Sequence, residues 1–114
     1  MHAPAIDATK HMINAQSLAT MKPGALLINC ARGALVDENA VAEALQSGQL
    51  AGAAHDVLEG EPPNPQSAIF YAPNFLLTPH MAGSTYECLD TVARMAASDI
   101  ALVLSGKSAI HAVN

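Results

Sequence analysis

Three short apolar runs, Ala25-Leu26-Leu27-Ile28, Leu50 to Ala54 and Phe75-Leu76-Leu77, each end in polar residues, and this recurrence constrains the chain more than any other feature. Continuous apolar runs of this kind, bounded by turn residues, suit strands buried on both faces of a parallel sheet. Between the first two, Asp37 can cap a helix whose Ala40, Val41, Ala44 and Leu45 share one face, with Gly48 past its last turn. Between the second and third, Gly60-Glu61-Pro62-Pro63-Asn64-Pro65 reads as a constrained loop, because proline removes a donor and fixes φ. A short turn can follow before Tyr71. Strand, helix, strand, loop, strand, helix implies an α/β fold with parallel strands and right-handed crossovers.

The flanks add two helices. Residues 1–13 lack periodicity, and Pro4 biases Ala3 towards extended backbone, so the chain opens in a loop. Ser17 to Lys22 reads as a short helix capped by Ser17 and stopped at Pro23-Gly24. Ser84 and Glu87 form an S-x-x-E capping box for a long helix through Leu89, Val92, Ala93, Ala96, Ile100 and Leu104, closed by Gly106. Such a helix reaches about 30 Å, more than a three-stranded sheet needs for cover. Part of it is expected to meet another partner. Aromatic residues make up 4% of the chain and Trp is absent, so the core must come from aliphatic side chains and methionine.

A net charge of −5 with five Lys and Arg argues against a nucleic-acid partner. No apolar run approaches the ~20 residues of a membrane span, and the start lacks the pattern of a signal peptide. A soluble cytoplasmic protein is therefore expected. Cys30 and Cys88 show no disulfide or C-x-x-C spacing and are expected to be free thiols. His55, His80 and Cys30 lack local ligand spacing, so no metal site is expected.

In open parallel sheets function gathers beyond the carboxyl ends of the strands. Arg32, Asp56 with Glu61, and His80 each follow an apolar run. If Glu61 hydrogen-bonds one ring nitrogen of His80, it fixes the tautomer and leaves the other nitrogen to exchange a proton with a substrate oxygen. Arg32 offers a planar fork for the carboxylate of a small acid. The same residues have plainer readings: His80 as a loop residue, Arg32 in a surface ion pair, Glu61 exposed to solvent.

Asn29-Cys30-Ala31-Arg32-Gly33, Asp56-Val57-Leu58-Glu59-Gly60-Glu61-Pro62 and Thr78-Pro79-His80, in this order and spacing, resemble the D-isomer-specific 2-hydroxyacid dehydrogenases. The likeness runs from His2-Ala3-Pro4 and Thr9 to Val113-Asn114. It implies that Arg32 binds the substrate carboxylate and that His80 is the acid/base with Glu61 as its partner. It further implies that Asp56 holds the nicotinamide carboxamide of NAD or NADP, with the Cys30 and Ala31 backbone along the nicotinamide. Pro4 and Thr9 would lie near the adenosine half, and Gly83 would give close approach beside the histidine. The substrate would be a small 2-hydroxy or 2-oxo acid.

Two departures qualify the resemblance. His55 stands where the family usually has an apolar residue, as expected of a strand end near solvent. No G-x-G-x-x-G occurs, so the pyrophosphate lacks its usual helix N-terminus. The resemblance therefore implies a partial Rossmann-type fold, half of a doubly wound parallel sheet with a long C-terminal crossover helix. Residues 1–84 would be the second half of an NAD(P)-binding domain, and residues 85–114 a crossover helix and tail returning to a missing substrate domain. A fragment inactive alone is expected. The competing reading is a non-catalytic module, a homodimer burying Val92, Ala96, Ile100 or Val103.

Overall fold

The computed structural model describes residues 1–113 and divides into two compact units, Met1–His80 and Met81–Asn114. The first holds three parallel strands, β1 (Ala25–Asn29), β2 (Leu50–His55) and β3 (Phe75–Leu77), in the order β1-β2-β3. Asn29 pairs with His55 and His55 with Leu77, so the carboxyl ends are level. The loops after all three strands consequently leave from one edge.

Helices α1 (Ala15–Ala19) and α2 (Glu38–Gln46) pack together, and α2 packs on β2. The Asp37 carboxylate accepts the N–H groups of Asn39 and Ala40 at 3.1 and 3.2 Å, satisfying two donors that a helix start leaves unpaired. Ala40, Val41, Ala44 and Leu45 are all buried, and Gly48 takes φ +77° after the last turn, as expected. With Leu18, Leu35, Val36, Leu50 and Ile69 they form the core. Each large aliphatic side chain contributes roughly 1.5–3 kcal/mol by leaving water.

Two expectations for this unit need correction. β1 is not buried on both faces: Leu27 and Asn29 are buried, whereas Leu26 and Ile28 are 72% and 56% exposed. Leu76, in register with Ala54 and so with Ile28, is also exposed. The helices of this unit cover one side of the sheet and leave the other bare. Nor does Ser17 cap α1; Asn14 does, accepting from Gln16 N and Ser17 N, while the Ser17 hydroxyl accepts the Asn14 N–H at 2.9 Å. The capping box is complete with Asn14 three residues earlier, and the helix ends at Ala19.

The second unit is dominated by α3 (Tyr86–Leu104). Its cap is Thr85, whose hydroxyl accepts the Cys88 N–H at 3.1 Å, rather than Ser84. Ser84 N–H is engaged with the Met81 carbonyl in the preceding turn, which leaves Glu87 one place short of the capping-box position. Gly106 takes φ +77° at the far end. Beyond it the chain folds back: the N–H groups of Ile110 and His111 donate to the Asp99 carboxylate. Those bonds hold the Asp99 carboxyl below its ordinary pKa, the Ile110 N–H contributing most. No residue of α3 is buried.

Candidate active site

Asn29 builds the first loop at the sheet edge. Its side chain is fully buried, its Oδ1 accepts the Ala31 N–H at 3.1 Å, and its Nδ2 donates to the Arg32 carbonyl at 2.9 Å. A single amide thus shapes the turn that presents Arg32, whose guanidinium is exposed with Nη1 donating to the Ala31 carbonyl at 2.7 Å. Gly33 follows against the second loop. A Cβ there would stand 1.9 Å from the carbonyl carbon of Leu58, so only glycine permits this approach.

The second and third loops are tied to the first. Asp56 N–H donates to the Asn29 carbonyl at 2.9 Å and Thr78 N–H to the His55 carbonyl at 3.0 Å, extending the sheet past its last residues. Asp56, only 4% exposed, accepts a hydrogen bond from the Thr78 hydroxyl. Glu61 accepts the Leu58 N–H through Oε1 and faces His80 Nδ1 through Oε2 at 2.8 Å. The bond to His80, then that to Leu58, holds the Glu61 carboxyl below its ordinary pKa, against desolvation and the charge of Asp56. A carboxylate can only accept, so Nδ1 carries a proton and Nε2 is left to other partners. His80 itself takes φ +53°, a left-handed conformation uncommon outside glycine and associated with functional positions.

Arg32, Glu61 and His80 line one cavity of about 220 Å³, together with Ala5, Glu59 and the Gly33 and Leu58 walls. Asp56, Thr78, Glu61 and His80 line a second, of about 280 Å³. Glu61 and His80 belong to both. Pro4, Thr9, Cys30 and Ala31 line neither cavity. Pro4 and Thr9 are joined to one another, the Thr9 hydroxyl donating to the Pro4 carbonyl at 2.7 Å. The Cys30 side chain is exposed and Ala31 is buried. Gly83 belongs to the second unit, where a Cβ would meet nothing within 4 Å.

His55 corrects an expectation: it lies inside, 2% exposed, with its ring edge-on to Phe75 at 5.3 Å. Its register with Asn29 on the covered face turns it away from solvent. Burial lowers its pKa to about 4. Asn29, Gly33 and Thr78 carry interactions to which the sequence reading gave no separate roles. The signal for Asn29 was alternation: two residues beyond inward-facing Leu27, it had to point inward too.

No group of three or more His, Cys, Asp or Glu side chains among the described residues could hold a metal ion, and no described helix is long and apolar enough to cross a membrane. Residues 1–82 match the family model described as D-isomer specific 2-hydroxyacid dehydrogenase, NAD binding domain. The chain is 47% identical over 87 residues to the (S)-sulfolactate dehydrogenase of Chromohalobacter salexigens, covering 76% of this chain and 28% of the relative. It is 40% identical over all 114 residues to the glyoxylate reductase of Aeropyrum pernix, covering 34% of that protein. The chain therefore spans about a third or less of the length of these curated relatives. Its fold superposes on the D-isomer specific 2-hydroxyacid dehydrogenase from Xanthobacter autotrophicus Py2, solved with NADPH and MES, with a TM-score of 0.87 and 35% identity, over 99% of this chain and 46% of that one. With the three loops at one sheet edge, these likenesses make the chain a member of the D-isomer specific 2-hydroxyacid dehydrogenase family, matched in its NAD-binding domain.

Proposed function

We propose that this chain supplies the acid/base and carboxylate-binding part of a nicotinamide-dependent oxidoreductase acting on D-2-hydroxy and 2-oxo acids. The observation that carries this reading is the His80–Glu61 pair, with Arg32 on the wall of the same cavity. Arg32 would hold the substrate carboxylate through its fork. His80, bonded through Nδ1 to Glu61, would donate a proton from Nε2 to the carbonyl oxygen of a 2-oxo acid, and take it back in the reverse direction. Glu61, as an acceptor at Nδ1, would hold the ring in one orientation and keep Nε2 aimed outward.

The donor set fits the nicotinamide end of a dinucleotide. Asp56 is a nearly buried carboxylate at the sheet edge, suited to the N–H₂ of a carboxamide, and the Cys30 and Ala31 backbone would run along the nicotinamide. When bound, the reduced cofactor supplies the hydride that the protein's own groups cannot. Pro4 and Thr9 would flank the adenosine half. The sequence contains no G-x-G-x-x-G, so a pyrophosphate site must come from elsewhere, and the 114 residues alone are expected to be inactive. The test replaces the matching segment of the Aeropyrum pernix glyoxylate reductase with this chain and follows NADH-dependent glyoxylate reduction. Activity in the chimera, lost by about 10²-fold or more in its His80→Gln form, supports the reading. Equal rates for the two forms would sink it.

The exposed apolar residues of α3 favour a second role. Val92, Ile100 and Val103 are each more than half exposed and Ala96 is exposed beside them, a face suited to burial in a homodimer. Analytical ultracentrifugation should then show a dimer that Ile100→Glu dissociates; a monomer at high concentration removes this reading.

A further inference from the structure

Two histidines of the first unit hold left-handed backbone, His80 at φ +53° and His11 at φ +48°. Each grips a glutamate of the same short loop. His80 faces Glu61, and His11 Nε2 lies 3.0 Å from both carboxylate oxygens of Glu59, forty-eight residues along the chain. We propose that His11 is a positioning residue, setting through Glu59 the loop that brings Glu61 to His80; the role rests on the reading of His80 and Glu61 as the acid/base pair.

The loop is fixed at three places. Val57 and Leu58 are buried, and the Leu58 backbone packs directly on Gly33, leaving the hairpin beyond them to be steadied by side chains. At Glu59 the backbone N–H donates to Glu38 Oε1 at 2.8 Å, while the side chain engages His11. At Glu61 the carboxylate divides between Leu58 N–H and His80. Only Gly60 separates the two glutamates, and glycine leaves that link free to pivot. A pivot next to an acid/base partner needs an anchor on its other side, and His11 with Glu38 provides it.

His11 is itself held rigidly enough to serve. Its N–H donates to the Ala34 carbonyl at 2.9 Å, and its carbonyl accepts Asn14 Nδ2 at 2.9 Å. Ala34 follows Arg32 by two residues, so the same strut spans the loop carrying the proposed carboxylate anchor. Left-handed backbone disfavours most side chains. A histidine kept there, with its ring seated on a carboxylate, points to a requirement for the ring.

The test uses the full chain, needs no cofactor or turnover, and reads the His80 tautomer by long-range ¹⁵N–¹H spectra of the histidine rings above neutral pH. In the native chain His80 is expected mainly in the Nδ1–H form, donating to Glu61. His11→Ala and Glu59→Ala should each lower that share by roughly twofold or more, towards the Nε2–H form that a ring released from Glu61 can adopt. His11→Gln, whose amide can still donate to Glu59, should restore it, with melting temperatures recorded for all variants so that a general loss of stability is visible. Folded His11→Ala and Glu59→Ala chains with the native tautomer share overturn the strut, as does a loss in His11→Gln equal to that in His11→Ala. A native chain without the Nδ1–H form overturns the acid/base pair itself, and the positioning role with it.

Discussion

Nδ1 of His80 lies 2.8 Å from Oε2 of Glu61, a contact across nineteen residues of sequence. The two meet because β2 and β3 end level and the loop after β2 turns back over the edge where His80 emerges. The bond orients the imidazole and lowers the Glu61 pKa together. A single contact therefore defines both partners of the proposed proton-transfer site.

The first prediction concerns that carboxyl. Its folded-state pKa lies below the ordinary 4.5, so the hydrogen bond adds stability above that value and loses it as pH falls through the lowered folded value. Carbon-detected titration of the Glu61 carboxyl should give a midpoint below 4.5, moving up towards 4.5 in His80→Ala. The same midpoint in both chains would remove His80 as the main cause.

Gly33→Ala should be costly for a reason specific to one contact. The new methyl would overlap the Leu58 carbonyl carbon and the Glu59 nitrogen, both backbone atoms, and neither can rotate away as a side chain would. Moving the loops apart should cost about 2–3 kcal/mol. Urea unfolding should record it, and the Leu58 and Arg32 amide resonances should shift together. A change smaller than about 0.5 kcal/mol, the scale of an ordinary surface substitution, would mean the loops do not meet as described.

The sequence made the strands, α2 and the edge of the site readable because each has a local cause. Apolar runs ended in polar residues, Asp37 stood before a one-faced helix, and Gly48 and Gly106 marked the turns after α2 and α3. What escaped notice depends on distant chain. Whether Leu26 and Ile28 are covered is decided by what lies on the second face of the sheet, not by their own composition. The His11–Glu59 pair spans forty-eight residues with no spacing to announce it. Asn14 and Thr85 were displaced by Ser17 and Ser84 because several small polar residues near each helix start could serve, and geometry decides among them.

That choice of cap at α3 can be measured. Thr85→Ala removes the acceptor of the Cys88 N–H and should cost about 1 kcal/mol of helix stability. Ser84→Ala, which removes no cap, should stay within a few tenths. Thermal melts followed by helical circular dichroism compare the two; a larger loss for Ser84→Ala would reverse the assignment.

His55 yields the clearest pH effect. It sits on the covered face at the end of β2, edge-on to Phe75, and its Nε2 has no hydrogen-bond partner among the described residues. Burial lowers its pKa from 6.5 to about 4, so the folded chain keeps it neutral over a range in which the unfolded chain binds a proton. Its contribution to stability is therefore complete above pH 6.5 and is lost as pH falls from there towards 4, by about 3 kcal/mol at most. His55→Leu abolishes this titration and removes a buried nitrogen that lacks a partner, while keeping an apolar side chain against Phe75. Urea midpoints at pH 7 and pH 5 should fall further in the native chain than in His55→Leu, the variant being the more stable at pH 5. Because the other titrating groups are common to both chains, their contributions cancel in the comparison. Parallel losses between the two pH values would mean that His55 is solvated in solution and does not titrate as a buried group.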